Sequence, residues 1–125
     1  MEGMKFDLRL YVLVMGIDPL RIYLSKEGLA RLSTKLYQKV DDNNVEDMMM
    51  HLTNYAVNKT SAAFEANRDE KFDAIGHKRS LRFTLRYLKR AENAQPNDVM
   101  DQIKDIIIKT LIAGQPHVSE AFKSC

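Results

Sequence analysis

The strongest constraint on the fold is the run KFDLRLYVLV at residues 5–14, which alternates with a period of two. Phe6, Leu8, Leu10, Val12 and Val14 fall on one side of an extended chain, and Lys5, Asp7 and Arg9 on the other. A helix would scatter these residues around its circumference, so the run is predicted to be a strand. Beyond Arg9 the second side also turns apolar, at Tyr11 and Leu13. That pattern predicts a central strand covered above and below over its second half, with its polar end opening into a cleft or solvent.

The next segments follow from turn chemistry. Gly16-Ile17-Asp18-Pro19 reads as a turn, and residues 20–24 as the returning strand. Glu27-Gly28 reads as a second turn before a short third strand at residues 29–33, which together make an antiparallel meander. Asn44 is a good helix cap with acid following it at Glu46 and Asp47, so a helix is predicted from about residue 45 into the HLTNY stretch. Residues 60–79 are polar and without period, which reads as a mobile loop. Ser80 is placed to cap a short helix with Leu81, Leu85 and Leu88 on one face. Asn97 is expected to cap a longer one over residues 98–113, with Val99, Ile103, Ile106, Ile107 and Leu111 as the core-facing stripe. Gly114 and Pro116 would end it. Strands first and helices after argue for an α+β fold. A sheet that starts at the first residues, with no earlier element to cover its second face, suggests a piece of something larger.

Composition excludes more than it selects. The net charge of +2 gives no electrostatic case for nucleic acid or an anionic membrane. No apolar run reaches the length of a membrane span, and no signal peptide is recognisable. The single cysteine, Cys125, rules out an internal disulfide and fits a reducing, cytoplasmic setting. P-loop, dinucleotide, nucleophile-elbow and zinc-site patterns are all missing from the sequence.

The polar residues offer a few candidate sites, each with an ordinary alternative. Lys5, Asp7 and Arg9 form a comb about 7 Å from tooth to tooth, able to hold a phosphate, a metal-bound nucleotide or a carboxylate. From spacing alone the same comb reads first as a solvated strand face with local ion pairs. Arg31, set between apolar neighbours, points into a cleft or packs its stem on the sheet. Thr53, Asn54, Tyr55, Asn58 and Lys59 crowd polar groups behind an apolar helix start, so the helix should distort or end there. Arg79, Arg82, Arg86 and Lys89 are spaced as one basic helical ridge, either a solvated face or a seat for an acidic partner.

Beyond this point the wording of the chain takes over. KFDLRLYVLV, DPLRIYLSKEGLARLSTKLY, MHLTNYAVNK, GHKRSL and IKDIIIKTLIAGQPHV resemble, in order, successive blocks of the tubulin tyrosine ligase-like catalytic domain. Only residues 60–75 and 90–98 fall outside the resemblance, and the KEGLAR and KRSL wording leans to the glutamate-adding members. The resemblance implies that residues 1–125 are a central part of an ATP-grasp domain of the glutathione synthetase-like type. It implies a tubulin polyglutamylase that activates a γ-carboxylate in an acidic tubulin tail as an acyl phosphate, which the amine of free glutamate then attacks. A glycine- or tyrosine-adding relative, or an inactive microtubule-binding fragment, is the alternative. ATP and magnesium are the implied cofactors, with the magnesium ligands expected downstream of this chain. By the same resemblance Lys5, Asp7, Thr53 and Asn54 serve the nucleotide, and Arg9 lies in the active cleft. Arg31 grips the incoming amino acid's carboxylate, while Tyr55 and Lys78 face the amino-acid substrate. Microtubules and the cytoskeleton, including a cilium or basal body, are the implied setting, without nucleic acid or membrane. Ala56 departs from the family, which often has serine there.

Overall fold

The alternating run does form a strand, and the hairpin built on it organises the rest of the chain. The computed structural model describes residues 1–67 and 74–123. Strand β1 (Met4–Ile17) turns at Asp18-Pro19 into β2 (Leu20–Leu36), and β2 also pairs antiparallel with β3 (Lys78–Ser80). The sheet order is β1-β2-β3. Gly16 fits the turn because a Cβ there would lie 2.9 Å from the Pro19 carbonyl oxygen, closer than side-chain carbons come. Between β2 and β3 the described residues include two one-turn helices, α1 (Met48–His51) and α2 (Tyr55–Asn58). After β3 come α3 (Leu81–Glu92) and α4 (Pro96–Lys123).

The chain divides into two compact units. The first, Met1–Arg9 with Glu27–Thr84, holds every fully buried residue among those described. Ala30, Leu32, Met50 and Leu81 form its apolar centre, beside the buried polar groups Ser33, Thr34, Thr53, Asn58, Arg79 and Thr84. Each buried polar side chain has a partner, as the cost of desolvation requires. The Asn58 amide shows how. Its oxygen accepts from both the Thr34 N–H and the Thr34 hydroxyl, each at 2.9 Å, and its nitrogen donates to the Leu52 and Asn54 carbonyls. One side chain thereby ties α2 to β2.

Arg79 closes the same unit. It is 2% exposed, opposite Ala30 in the register, and its fork donates to both Glu2 oxygens at 2.6 and 2.8 Å. The Gly76 carbonyl accepts from its Nε, and the Phe83 ring lies 5.5 Å from the guanidinium carbon. The small Ala30 leaves room for this long side chain.

The second unit, Leu10–Lys26 with Leu85–Cys125, contains the hairpin tip, most of α3 and all of α4. Leu20, Ile22 and Leu24 of β2 meet Ile107, Ile108 and the Lys104 stem around a groove of about 370 Å³. The Gln115 side-chain amide donates to the Ile17 carbonyl at 2.7 Å.

Several expectations change against these coordinates. Glu27-Gly28 is no turn: β2 runs through it, Gly28 is buried, and its φ is not positive. A two-residue signal lost to strand pairing, and the third strand is β3, inside the stretch read as loop. Six residues of that stretch, 68–73, lie outside the described residues. β1 is an edge strand in the described sheet rather than a central one, with Tyr11, Val12, Leu13 and Met15 exposed. Asp47, not Asn44, caps α1, its carboxylate accepting from the Met49 N–H at 3.0 Å. The predicted single helix is broken at residues 52–54, where polar side chains compete for the backbone. The Ser80 cap is present, accepting from the Phe83 N–H at 3.1 Å. α4 begins at Pro96, ahead of the predicted Asn97 cap, and runs on through Gly114 and Pro116. Those two residues disfavour a helix interior by about 1 and 3 kcal/mol, which the rest of the long helix outweighs. The α4 stripe is half-buried at Val99, Ile103, Ile107 and Leu111, but Ile106 is 64% exposed.

Glu2→Gln should therefore lower stability by about 1–3 kcal/mol, because a buried guanidinium loses its countercharge. Urea unfolding of both proteins measures it, and an unchanged midpoint would show the pair to be idle.

Candidate functional site

At the polar end of β1 the side chains of residues 5, 7 and 9 emerge on one face, as alternation demands. The neighbouring β2 presents Arg31 to this face. Arg31 Nε donates to Asp7 Oδ1 at 3.0 Å, and its terminal nitrogen donates to Oδ2, so the guanidinium and carboxylate meet fork to fork. Such planar, two-bonded pairing fixes orientation as well as charge. Thr53, 9% exposed in the break between α1 and α2, lies close enough to Asp7 to favour its charged form. Hydrogen bonding to Arg31 holds the Asp7 carboxyl below the usual carboxylate range, against the opposing effect of burial. The charges of Arg31 and Arg9 and the nearby Thr53 act in the same direction.

Lys78 enters from the third strand, directly opposite Arg31 in the β2–β3 register. Arg9 and Lys78 are exposed, while Asp7 and Arg31 are half-buried. The cluster thus has a rigid neutral pair at its base with cationic groups beside it.

β3 is held in place by its own neck. The Leu32 N–H donates to the His77 carbonyl at 2.8 Å, and the His77 N–H donates to the Glu65 carbonyl at 3.1 Å. His77 Nδ1 accepts from the Glu65 N–H, and the imidazole stacks on Phe64 at 5.7 Å. Burial lowers the His77 pKa, which suits a neutral ring accepting that bond.

Of the residues singled out from sequence, Asp7, Arg31 and Thr53 come together, and Arg9 and Lys78 stand beside them. Lys5 lies one step away on the strand. It borders an open hollow of about 610 Å³ together with Met4, Phe6, Tyr37 and His51. Asn54 begins α2, and its exposed side chain makes no capping bond. Tyr55 packs edge-on against Phe64 at 5.6 Å, with the Lys59 ammonium 5.8 Å from its ring centre. Arg79 leaves the predicted basic ridge altogether, because it belongs to β3 and is buried. Sequence reading missed Glu2 altogether, and it picked out Arg79 and Asn58 without their structural roles. A three-residue strand is too short to reveal its alternation.

Residues 1–124 match the sequence profile of the Tubulin-tyrosine ligase family. The chain belongs to this family. Among curated proteins it is 49% identical, over 99% of its length, to a "Probable beta-tubulin polyglutamylase" of Tetrahymena thermophila. It is 42% identical over its whole length to "Tubulin polyglutamylase TTLL7" of Xenopus tropicalis, and 40% identical over 98% to "Tubulin monoglutamylase TTLL4" of Homo sapiens. It spans 10%, 13% and 10% of those relatives' own lengths. The fold brings the KFD and HLTN segments together at Asp7 and Thr53.

The depressed Asp7 pKa has a thermodynamic consequence. A carboxyl whose pKa is lower folded than unfolded adds stability above its unfolded value, near 4, and loses it as pH falls through the folded value. Asp7→Asn should therefore be less stable than the parent by about 1 kcal/mol at neutral pH, a figure kept small because the pair is partly solvated. That gap should close as the pH drops below about 4. Urea midpoints across pH 3–7 test this, and a gap independent of pH would contradict it.

Proposed function

We propose that this chain is part of an ATP-dependent tubulin polyglutamylase and contributes the acidic-substrate end of its catalytic cleft. The observation that carries the reading is the convergence of Asp7, Arg31 and Thr53 from three separate segments, with Lys78 in register beside them. In this reading Arg31 grips the α-carboxylate of the incoming glutamate, for which a guanidinium fork is well matched. Asp7 acts through Arg31 by fixing its plane, and Thr53 favours the charged form of Asp7. Lys78, across the ladder, takes the side-chain carboxylate that distinguishes glutamate from glycine or tyrosine. Arg9 lies toward the developing negative charge, where fixed positive charge stabilises a transition state.

The donor set also suits a nucleotide's phosphates, since Lys5 and Arg9 are exposed cations along one strand face, and the Asn54 amide is uncapped. Bound ATP supplies the phosphoryl group that activates the acceptor γ-carboxylate. Magnesium is a different matter. Among the described residues no group of three or more His, Cys, Asp or Glu side chains could hold a metal ion, and both Asp7 oxygens engage Arg31. No step is assigned to the metal through this chain. The partners implied are α/β-tubulin tails on microtubules and free glutamate, placing the protein in the cytoplasm at the cytoskeleton, including a cilium or basal body. No helix among the described residues is long and apolar enough to cross a membrane.

Labelled-glutamate incorporation into tubulin by the longer protein tests the reading. Arg31→Lys, which keeps the charge but loses the fork, should cut kcat/KM at least about 100-fold. Lys78→Ala should raise the glutamate KM. Wild-type turnover in Arg31→Lys, or incorporation of glycine or tyrosine in place of glutamate, would overturn it. The 125-residue chain by itself should incorporate no glutamate, and ATP-dependent glutamylation by it would contradict that part.

A further inference from the structure

Lys78 stands at the open end of β3, where a ladder frays first. The β2–β3 ladder pairs Leu29 with Ser80, Ala30 with Arg79 and Arg31 with Lys78. Arg79 is pinned by Glu2 and the Gly76 carbonyl, and Ser80 by the helix it caps. The Lys78 side chain is exposed. What holds this end of the strand is the residue before it, His77.

Three hydrogen bonds converge on His77. Its carbonyl accepts from the Leu32 N–H at 2.8 Å, one step past the ladder, and its N–H donates to the Glu65 carbonyl at 3.1 Å. Its ring adds the third, with Nδ1 accepting from the Glu65 N–H at 3.1 Å. The same ring lies over Phe64 with 30° between the planes, and Phe64 meets Tyr55 edge-on. Gly76 permits this approach, because a Cβ there would come within 2.5 Å of the Asn67 Cβ. One half-buried imidazole thus connects the strand end that carries Lys78 to the ring pair that holds Tyr55. The ring bond requires one protonation state. Neutral imidazole with its proton on Nε2 leaves Nδ1 free to accept, whereas imidazolium carries N–H on both nitrogens and has no acceptor. Among the described residues the charged groups facing the ring are Glu65 and Glu2, which favour its charged form, and Arg79, which opposes it. Burial is the largest effect and holds the pKa below the ordinary histidine value of 6.5.

We propose that His77 is a positioning residue for the glutamate-recognising end of the site: its neutral ring anchors the start of β3 and so aims Lys78, and protonation releases that anchor. The inference rests on the role given to Lys78 above and adds a residue that touches no substrate. Protonation would set the Glu65 N–H against a second N–H, so the bond is lost rather than weakened. The backbone bonds of His77 remain, which confines the effect to the strand end and its side chain. A histidine serving stability alone could be replaced by any side chain that fills the space. A positioning histidine can be replaced only by one that still accepts from Glu65.

Glutamate incorporation by the longer protein, with KM and kcat measured from about pH 5.5 to 8, tests the inference. The parent's glutamate KM should be level at neutral pH and rise below pH 6.5 as the ring protonates, with little change in kcat. His77→Asn places an acceptor oxygen where Nδ1 was and does not titrate, so it should keep the parent's neutral KM within about twofold and lose the acid rise. His77→Phe can still stack on Phe64 but cannot accept, and should raise KM at least about threefold at every pH. Combined with Lys78→Ala, it should add nothing. Amide exchange around residues 65 and 77 should quicken in His77→Phe and not in His77→Asn. Parental KM or unchanged exchange in His77→Phe would overturn the inference and leave the reading of the site standing. So would an acid rise that persists in His77→Asn, or a further loss on top of Lys78→Ala. A parent that incorporates no glutamate would instead remove the reading of the site, and this inference with it.

Discussion

The bidentate contact between Arg31 and Asp7 is the interaction on which the candidate site of this molecule depends. It joins β1 to β2 through side chains where the two strands already share a ladder. It fixes a guanidinium plane, and it sets the charge balance of everything near it. Because β3 pairs with β2 at that residue, Lys78 inherits its position from Arg31. Because Thr53 lies beside Asp7, the break between α1 and α2 comes to the same point. Asn58 performs the matching task between β2 and α2, where its amide meets four partner groups.

Two arginines on facing strands illustrate how environment divides one chemistry into two roles. Arg79 is buried against Glu2, Gly76 and Phe83, and its charge is consumed by structure. Arg31 is half-buried against Asp7 and stays within reach of the cleft. Their positions in sequence give no hint of this division, which alternation on paired strands alone decides. Arg79, counted into a ridge by helical spacing, sits in a strand two residues before the helix begins.

Much of the fold was legible in the chain. The period-two run at residues 5–14, the turn at Asp18-Pro19, the Ser80 cap and the long terminal helix all rest on local chemistry, and local chemistry held. What failed was mostly what depends on distant partners, although the local signals at Asn44, Gly114 and Pro116 failed too. Whether Glu27-Gly28 turns is decided by residues 78–80, and whether the second half of β1 is covered is decided by elements far along the chain. The site was legible in part. Family wording selected Asp7, Arg31 and Thr53, and the coordinates bring those three together. Tyr55 instead packs on Phe64 and Lys59, and Lys5 faces a separate hollow.

A double-mutant cycle between Asp7 and Arg31, read as kcat/KM for glutamate in the longer protein, bears most directly on the central claim. If Asp7 works only by orienting Arg31, then Asp7→Asn combined with Arg31→Lys should be no worse than the poorer single variant. Fully additive losses would mean that the two side chains act independently, and the account of this site as one oriented carboxylate clamp would be wrong.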